Sequence, residues 1–432
     1  MRLAVVVQRY GADLNGGAEL HARYVSEHLA HHADVEVLTT CARDYITWEN
    51  DFKPGLERVN GLPVRRFKVS RVRNPDDFGR RSEHVFRRTH SLADELGWLD
   101  SEGPKSPALI NHIRDHASDY DHFIFFSYRY YHAYHGIRQV ASRSVLVPTA
   151  ERDPALGLAI FRPTFRAVRG IMYNSFEERA LIQGVSSNDH VPGVVVGIGS
   201  KVPSQASSQR FRQRRNFSRR FAIYVGRIDE NKGCAELFNH FQRYARTTTN
   251  LDLVLIGNPV MPVPSHPRIH HLGFVPDNEK FDAMAAADLL IMPSYFESLS
   301  MVTLEAWAMG VPVLVNGQCD VLRGQAIRAN AGLYYTTYDE FSEALRLLET
   351  DQQLRYTFGA HGRDYFQRHY TWPVIERKYL DMLHQLEHDD RPGNPIEPLP
   401  GWLTRHRRSV PAAGDIVDQL PTGPVLPASL SC

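Results

Sequence analysis

Glu297 and Glu305 stand eight positions apart in Glu-Ser-Leu-Ser-Met-Val-Thr-Leu-Glu, a stretch entered from the apolar run 288–294 and leading into a short helix. Residues 289–292 read as a buried parallel strand. Residues 300–309 read as a helix halted by Gly310 and Pro312, ahead of a further strand at 313–316. Glu297 therefore belongs to the loop and Glu305 to the helix. The helix start at Ser300, Met301 and Val302 offers unpaired backbone N–H groups and a positive dipole end, which suits a phosphate. Ionised carboxylates only accept hydrogen bonds, so the flanking pair matches a ligand that presents sugar hydroxyls on either side of a diphosphate. Taken alone, two Glu at this spacing are more often a charged helix edge; the surrounding strand and helix stop favour the site.

A second constellation lies upstream. Strand 221–225 runs into Gly226-Arg227-Ile228-Asp229-Glu230-Asn231-Lys232-Gly233, and a helix begins near Cys234. Gly226 permits a sharp turn, while Arg227 as a planar fork and Lys232 as a point charge can converge on one anion. A third element opens the chain, where strand 3–7 is followed by Gly11 and by Asn15-Gly16-Gly17-Ala18-Glu19, leading into an amphipathic helix that ends about Ala30. Gly16 and Gly17 allow a ligand close to the backbone at a helix N-terminus. A dinucleotide-binding dehydrogenase would want Gly-x-Gly-x-x-Gly in this turn and an acidic residue closing the second strand. Strand 35–38 closes on Thr39 and Thr40, so that reading fails on both counts.

On these three motifs the chain resembles the retaining glycosyltransferases of family four, which have the GT-B fold, over most of residues 1–385. The resemblance implies an α/β chain of two doubly wound, Rossmann-like domains facing a cleft. It implies that Glu297 contacts the donor sugar, that Glu305 contacts the nucleotide ribose, and that Arg227 and Lys232 hold the donor diphosphate in place of a metal. The glycine loop, with Gly16 and Gly17, would face donor and acceptor across the cleft. Two departures stand out: Ser300 occupies a usual Gly, and Glu151 occupies the place of a loop His that often contacts the donor sugar. A Ser N–H still donates, so phosphate binding is expected to survive the first. The second leaves Glu151 to substitute as a hydrogen-bond acceptor.

The rest of the chain bounds the reading. With 432 residues and 43% apolar content there is core for two domains. A net charge of +1 argues against a nucleic-acid binder. Cys41, Cys234, Cys319 and Cys432 have no metal-ligand spacing, and the N-terminus enters a strand directly, so a cytoplasmic location is expected, with any membrane contact peripheral at the inner face. Alternating patterns assemble one sheet from 3–7, 35–40, 64–67, 122–127, 145–149 and 171–174, and another from 221–225, 251–256, 269–272, 289–292, 313–315 and 332–335. The expected organisation is an acceptor-side domain at 1–199, a polar linker at 200–220, a nucleotide-sugar domain at 221–365, a helix at 366–388 returning to the first domain, and a Pro-rich tail at 389–432.

For the acceptor or sugar side, two loops follow strand ends. One, 127–136, is dense in aromatics and holds His132 and His135; the other, 148–154, holds Glu151 and Asp153. Asp119-Tyr120-Asp121 imitates a metal motif but precedes its strand, and no metal or other cofactor is expected. Arg65, Arg66, Lys68, Arg71 and Arg73, with Arg80, Arg81, Arg87 and Arg88, would suit an anionic membrane carrying a lipid-linked acceptor, yet the near-zero net charge favours a solvated, acid-balanced face. The expectation is a retaining transferase that moves a hexose-type unit from a nucleotide diphosphate sugar to a glycan or lipid-linked acceptor, for a bacterial surface polysaccharide. The alternatives are a nucleotide-sugar isomerase of the same fold, which needs no acceptor, and a non-catalytic sugar-nucleotide binder.

Overall fold

The computed structural model describes residues 1–14, 16–247, 250–389, 393–399 and 414. Two sheets organise it. The first comprises β1 (Arg2–Val6), β2 (Asp34–Thr40), β3 (Gly55–Val59), β4 (Leu62–Phe67), β5 (His122–Phe126), β6 (Ser144–Val147), β7 (Gly170–Tyr173) and β8 (Gly193–Val195), in the order β3-β4-β2-β1-β5-β6-β7-β8. All neighbours run parallel except the hairpin β3-β4. Along the central strand Leu3 and Val5 enter one core while Ala4 and Val6 enter the other, as period-two side chains must when helices cover both faces.

The second sheet comprises β9 (Arg220–Val225), β10 (Leu251–Ile256), β11 (Ile269–His271), β12 (Leu289–Met292), β13 (Val313–Asn316) and β14 (Gly332–Tyr335), in the all-parallel order β11-β10-β9-β12-β13-β14. In each sheet the winding reverses once: between β1 and β5 in the first, between β9 and β12 in the second. At such a reversal the connections leave in opposite directions and open a crevice beyond the carboxyl ends of the strands. The glycine loop follows β1, and the Arg227/Lys232 and Glu297 loops follow β9 and β12, so topology alone brings these motifs to the crevices.

Several expectations are refined. β3 and β8 were not foreseen. The stretch 200–220 contains a helix, Ser208–Arg215, held to helix Asp277–Ala286 by the Asp282 carboxylate, which receives Ser207 N–H at 2.8 Å and the Arg210 guanidinium. The helix expected at 366–388 is divided: Gln352–His369 ends at Tyr370, and Trp372–Glu387 packs on helix Gly17–Leu29 and strand β7. A Cβ at Gly170 would lie 2.7 Å from Met382 Cε and 2.9 Å from Leu386 Cδ1, so the side chains of that helix pack directly on the β7 backbone. Ile375, Tyr379, Met382 and Leu383 join one apolar cluster continuous from β1 through the second sheet. Of the expected tail, 390–392, 400–413 and 415–432 lie outside the described residues, as does Asn15. Among the described residues no helix is long and apolar enough to cross a membrane.

Candidate active site

The loop after β9 is shaped by its own polar groups. Asp229 accepts the Lys232 N–H at 2.8 Å and pairs with the Arg227 guanidinium, while Tyr224 Oη donates to the Arg227 carbonyl at 2.7 Å. Ile228 is fully buried and bonds the loop after β10 through Asn258 and Val260. Gly233, with φ +71°, begins the next helix, and a Cβ there would fall 2.1 Å from the Pro293 carbonyl. Glycine is therefore required where the two loops of the second crevice touch.

Across that contact Lys232 Nζ donates to Glu297 Oε1 at 2.8 Å. Burial alone would lower the Lys232 ammonium, but Glu297, then Glu151 and Asp229, hold it above its ordinary value. Ser300 caps helix Met301–Ala308, its hydroxyl receiving Thr303 N–H at 3.3 Å and the Thr303 hydroxyl at 2.9 Å. The first helical N–H groups, at Met301 and Val302, remain for a ligand.

These groups line a cavity of about 510 Å³ together with Gly17, Ala18 and Glu19 from the first domain. Arg227, Lys232, Glu297, Ser300, Met301, Val302, Glu151 and Asp153 all line it. Gly16 caps helix Gly17–Leu29 just behind the lining, and a Cβ on it would strike the Glu19 carboxylate, which is itself held by Arg9 at 2.7 Å. Glu305 does not line this cavity: one helical turn beyond the cap it is buried against Lys280, whose Nζ lies 3.1 Å away. Lys280 is a cation that the sequence reading did not single out.

The first domain contributes its wall through two strained strand ends. Ser127 (φ +66°) after β5 and Thr149 (φ +49°) after β6 both adopt the left-handed conformation and bond one another through their hydroxyls at 2.8 Å. Non-glycine residues held this way concentrate at functional sites. Glu151 follows, part-buried. Burial, with Glu297 alongside, pushes its carboxyl up to about 7 against the opposing pull of Lys232. Behind it Glu178, wholly buried, is pushed up to about 8, although it accepts the Ala150 N–H at 2.6 Å and the Asn174 N–H, and so fixes the loop that carries Glu151.

His132 and His135 are corrections. Helix Tyr131–Ile137 starts directly after Tyr130 and turns both away from the crevice. His132 is wholly buried, its Nε2 lying 2.9 Å from the Phe126 carbonyl, and His135 packs on Tyr131 with ring centres 4.2 Å apart. The residues of that segment that line the cavity are Ser127, Arg129 and Tyr130, and Arg129 bonds Glu102 at 2.8 Å and Asp153 at 2.9 Å. A charged residue directly past a strand end at the winding reversal was the signal available. Asp153 also receives Tyr128 Oη at 3.2 Å and Leu156 N–H at 3.1 Å, so its carboxylate is occupied in holding the wall.

A second cavity, of about 550 Å³, shares Glu151 and Glu297 with the first and is bounded by Arg152, Glu177, Phe296 and Asp320. Two ion pairs cross between domains there, Arg152 to Asp320 at 2.8 Å and Arg328 to Glu177. Among the basic residues expected to suit a membrane, Arg65 bonds Glu36, Arg66 is buried against Glu57, Arg73 is part-buried against Glu102, and Arg80 and Arg81 meet Asp77. Asp121 accepts the Arg2 N–H at 2.7 Å at the amino edge of the sheet, away from the crevice.

Residues 206–365 match the family model of glycosyl transferases group 1. Among curated proteins, the chain is 26% identical over 183 residues to a capsular polysaccharide biosynthesis glycosyltransferase, CapM, of Staphylococcus aureus, covering 38% of this chain and 47% of that one. It is 35% identical over 91 residues to the lipopolysaccharide glucosyltransferase WaaG of Escherichia coli, covering 20% and 24%. The matched stretches thus span less than half of these relatives. Among solved structures, HepE of Anabaena in complex with UDP-glucose superposes with a TM-score of 0.65 at 15% identity, covering 89% of this chain and 100% of that one. The structure of WaaG gives 0.60 at 17% identity, covering 88% and 99%. The architecture is GT-B.

Proposed function

We propose that this chain is a retaining glycosyltransferase that takes a sugar from a nucleotide diphosphate donor and passes it to a glycan or lipid-linked acceptor in surface polysaccharide synthesis. The observation that carries the reading is the convergence of Lys232 and Glu297, 2.8 Å apart, with the capped helix start at Ser300, facing Gly17 across one cavity. An ammonium, a guanidinium at Arg227 and two helical N–H groups supply positive potential for a diphosphate. Glu297 supplies an acceptor for sugar hydroxyls.

In this reading Arg227 and Lys232 stabilise charge on the departing diphosphate without a metal, which is where preorganised electrostatics acts most strongly. The acceptor hydroxyl attacks from the leaving-group side and passes its proton to the departing phosphate oxygen, so no protein base is required. Glu151, with a carboxyl titrating near neutrality, serves at the reacting face as either donor or acceptor of a hydrogen bond. Glu305 and Lys280 back the helix that carries the phosphate contacts, and Glu305 is assigned to the ribose side. The structural neighbour HepE, solved in complex with UDP-glucose, favours a nucleotide sugar as donor. The relatives named for capsular polysaccharide and lipopolysaccharide favour a surface glycan as product.

The test is donor turnover by purified protein with a panel of nucleotide sugars, with and without glycolipid extracts. Acceptor-dependent release of nucleoside diphosphate with the anomeric configuration kept is the expected result. A rearranged sugar nucleotide formed without acceptor would replace transfer by isomerisation, and no turnover with any donor would leave a binding protein.

A further inference from the structure

Far from the cleft, helix Gly17–Leu29 ends in a run of imidazoles. His28 lies in the last turn of the helix, and His31 and His32 follow in the turn just beyond its end, so that the three imidazoles share one face. Against that face lies helix Trp372–Glu387, which presents Glu376. His28 Nδ1 is 2.6 Å from Glu376 Oε1, and His32 Nε2 is 3.0 Å from Glu376 Oε2. One ligating atom each from His28, His31 and Glu376 lies within 4.8 Å of the others.

We propose that His28, His31 and Glu376 bind a borderline divalent transition metal ion of the Zn²⁺ class, clamping the C-terminal helix to the first domain. Two imidazole nitrogens and one carboxylate oxygen form a donor set that suits Zn²⁺ or Co²⁺ rather than Mg²⁺ or Ca²⁺, which prefer oxygen alone. Around such an ion, ligand atoms stand about 2.0–2.2 Å from the metal and so roughly 3.3–3.5 Å from one another. The present separations, all within 4.8 Å, bracket that value: the 2.6 Å His28–Glu376 contact would open and the wider ones would close. The frame for this is already rigid. Trp372, nearly buried, stacks on His28 with ring centres 3.7 Å apart and 6° between planes, and Tyr24 meets the indole edge-on. His32 holds the second Glu376 oxygen, the kind of outer partner that fixes a ligating carboxylate. The ion would take the place of the proton now shared between His28 and Glu376. It would tie the helix that starts at Gly17, on the cleft, to a helix some 350 residues later in the chain.

The experiment uses full-length protein without a histidine tag, stripped with EDTA and titrated separately with Zn²⁺ and Co²⁺. Binding is read by calorimetry and by the visible absorption of Co²⁺, and stability by the thermal unfolding midpoint. One equivalent of metal should bind and raise the midpoint. His31 is exposed, so H31A should unfold at the wild-type temperature without metal. It should lose affinity by at least the roughly 10–100-fold that removal of even an outer partner costs, and lose the metal-induced rise. E376Q should behave alike towards metal. Binding and a thermal rise that persist unchanged in both variants would mark an adventitious ion only and overturn the assignment. So would the absence of any bound equivalent in the wild-type protein.

Discussion

Replacing Glu151 by Gln removes a carboxyl that the fold holds in an unfavourable place. Its titration is raised from 4.5 to about 7 by burial and by Glu297, with Lys232 only partly offsetting them. Because the folded value lies above the unfolded one, the native state binds this proton more tightly. The group therefore costs nothing below about pH 4.5, costs progressively more between about 4.5 and 7, and costs a constant amount above that. At 1.36 kcal/mol per tenfold step in proton affinity, the full cost is about 3 kcal/mol. Gln keeps the shape and does not titrate. Urea unfolding of the two proteins at pH 5 and pH 8 should then give curves that approach each other at pH 5. At pH 8 the Gln variant should be the more stable by up to about 3 kcal/mol. An unchanged difference at the two pH values, or a wild-type protein that gains on the variant as pH rises, would refute the reasoning that Glu151 is a desolvated acid beside a second carboxylate.

Three further outcomes are expected from the same geometry. Glu297→Gln keeps the hydrogen-bonding shape near Lys232 but loses the anionic acceptor, so transfer should fall by roughly two to three orders of magnitude while nucleoside diphosphate still binds by calorimetry; full activity would remove Glu297 from the site. Lys232→Ala leaves Glu297 beside Glu151 without its cation, so diphosphate affinity and turnover should both drop, the latter roughly a hundredfold or more, and unchanged values in a donor assay would exclude it. Gly233→Ala forces a Cβ into the Pro293 carbonyl at a positive φ, so the urea midpoint should fall by the equivalent of about 1–3 kcal/mol, and a wild-type midpoint would show that the two loops do not meet there.

The parallel strands were legible because their sequences are short apolar runs, and the three site loops because each follows such a run. β3 was not, since Glu57 and Arg58 interrupt its apolar character and the strand is largely exposed. The signal was nevertheless present: Asn60 and Gly61, at φ +50° and +87°, make the two-residue turn that joins β3 to β4. β8 escaped because it is only Gly193–Val195. Within the site, residue types could be read but tertiary pairings could not. Nothing local says that Lys232 reaches Glu297, sixty-five positions on, or that Glu178 underpins Glu151 through a backbone N–H. His132 and His135 misled because aromatic density after a strand end fits a sugar platform and a buried helix start equally well. Only the burial of Tyr131, Ala133 and Tyr134 beside His132 separates the two.

The docking of helix Trp372–Glu387 on Gly17–Leu29 and β7 also sets an order of events during synthesis. Strand β7 is translated some two hundred residues before Met382 and Leu386 arrive to cover Gly170, so the first lobe leaves the ribosome with an apolar seat still bare. Until helix Trp372–Glu387 is delivered, that seat is a place where nascent chains can adhere to one another, and a polypeptide cut at residue 365 would keep it open permanently.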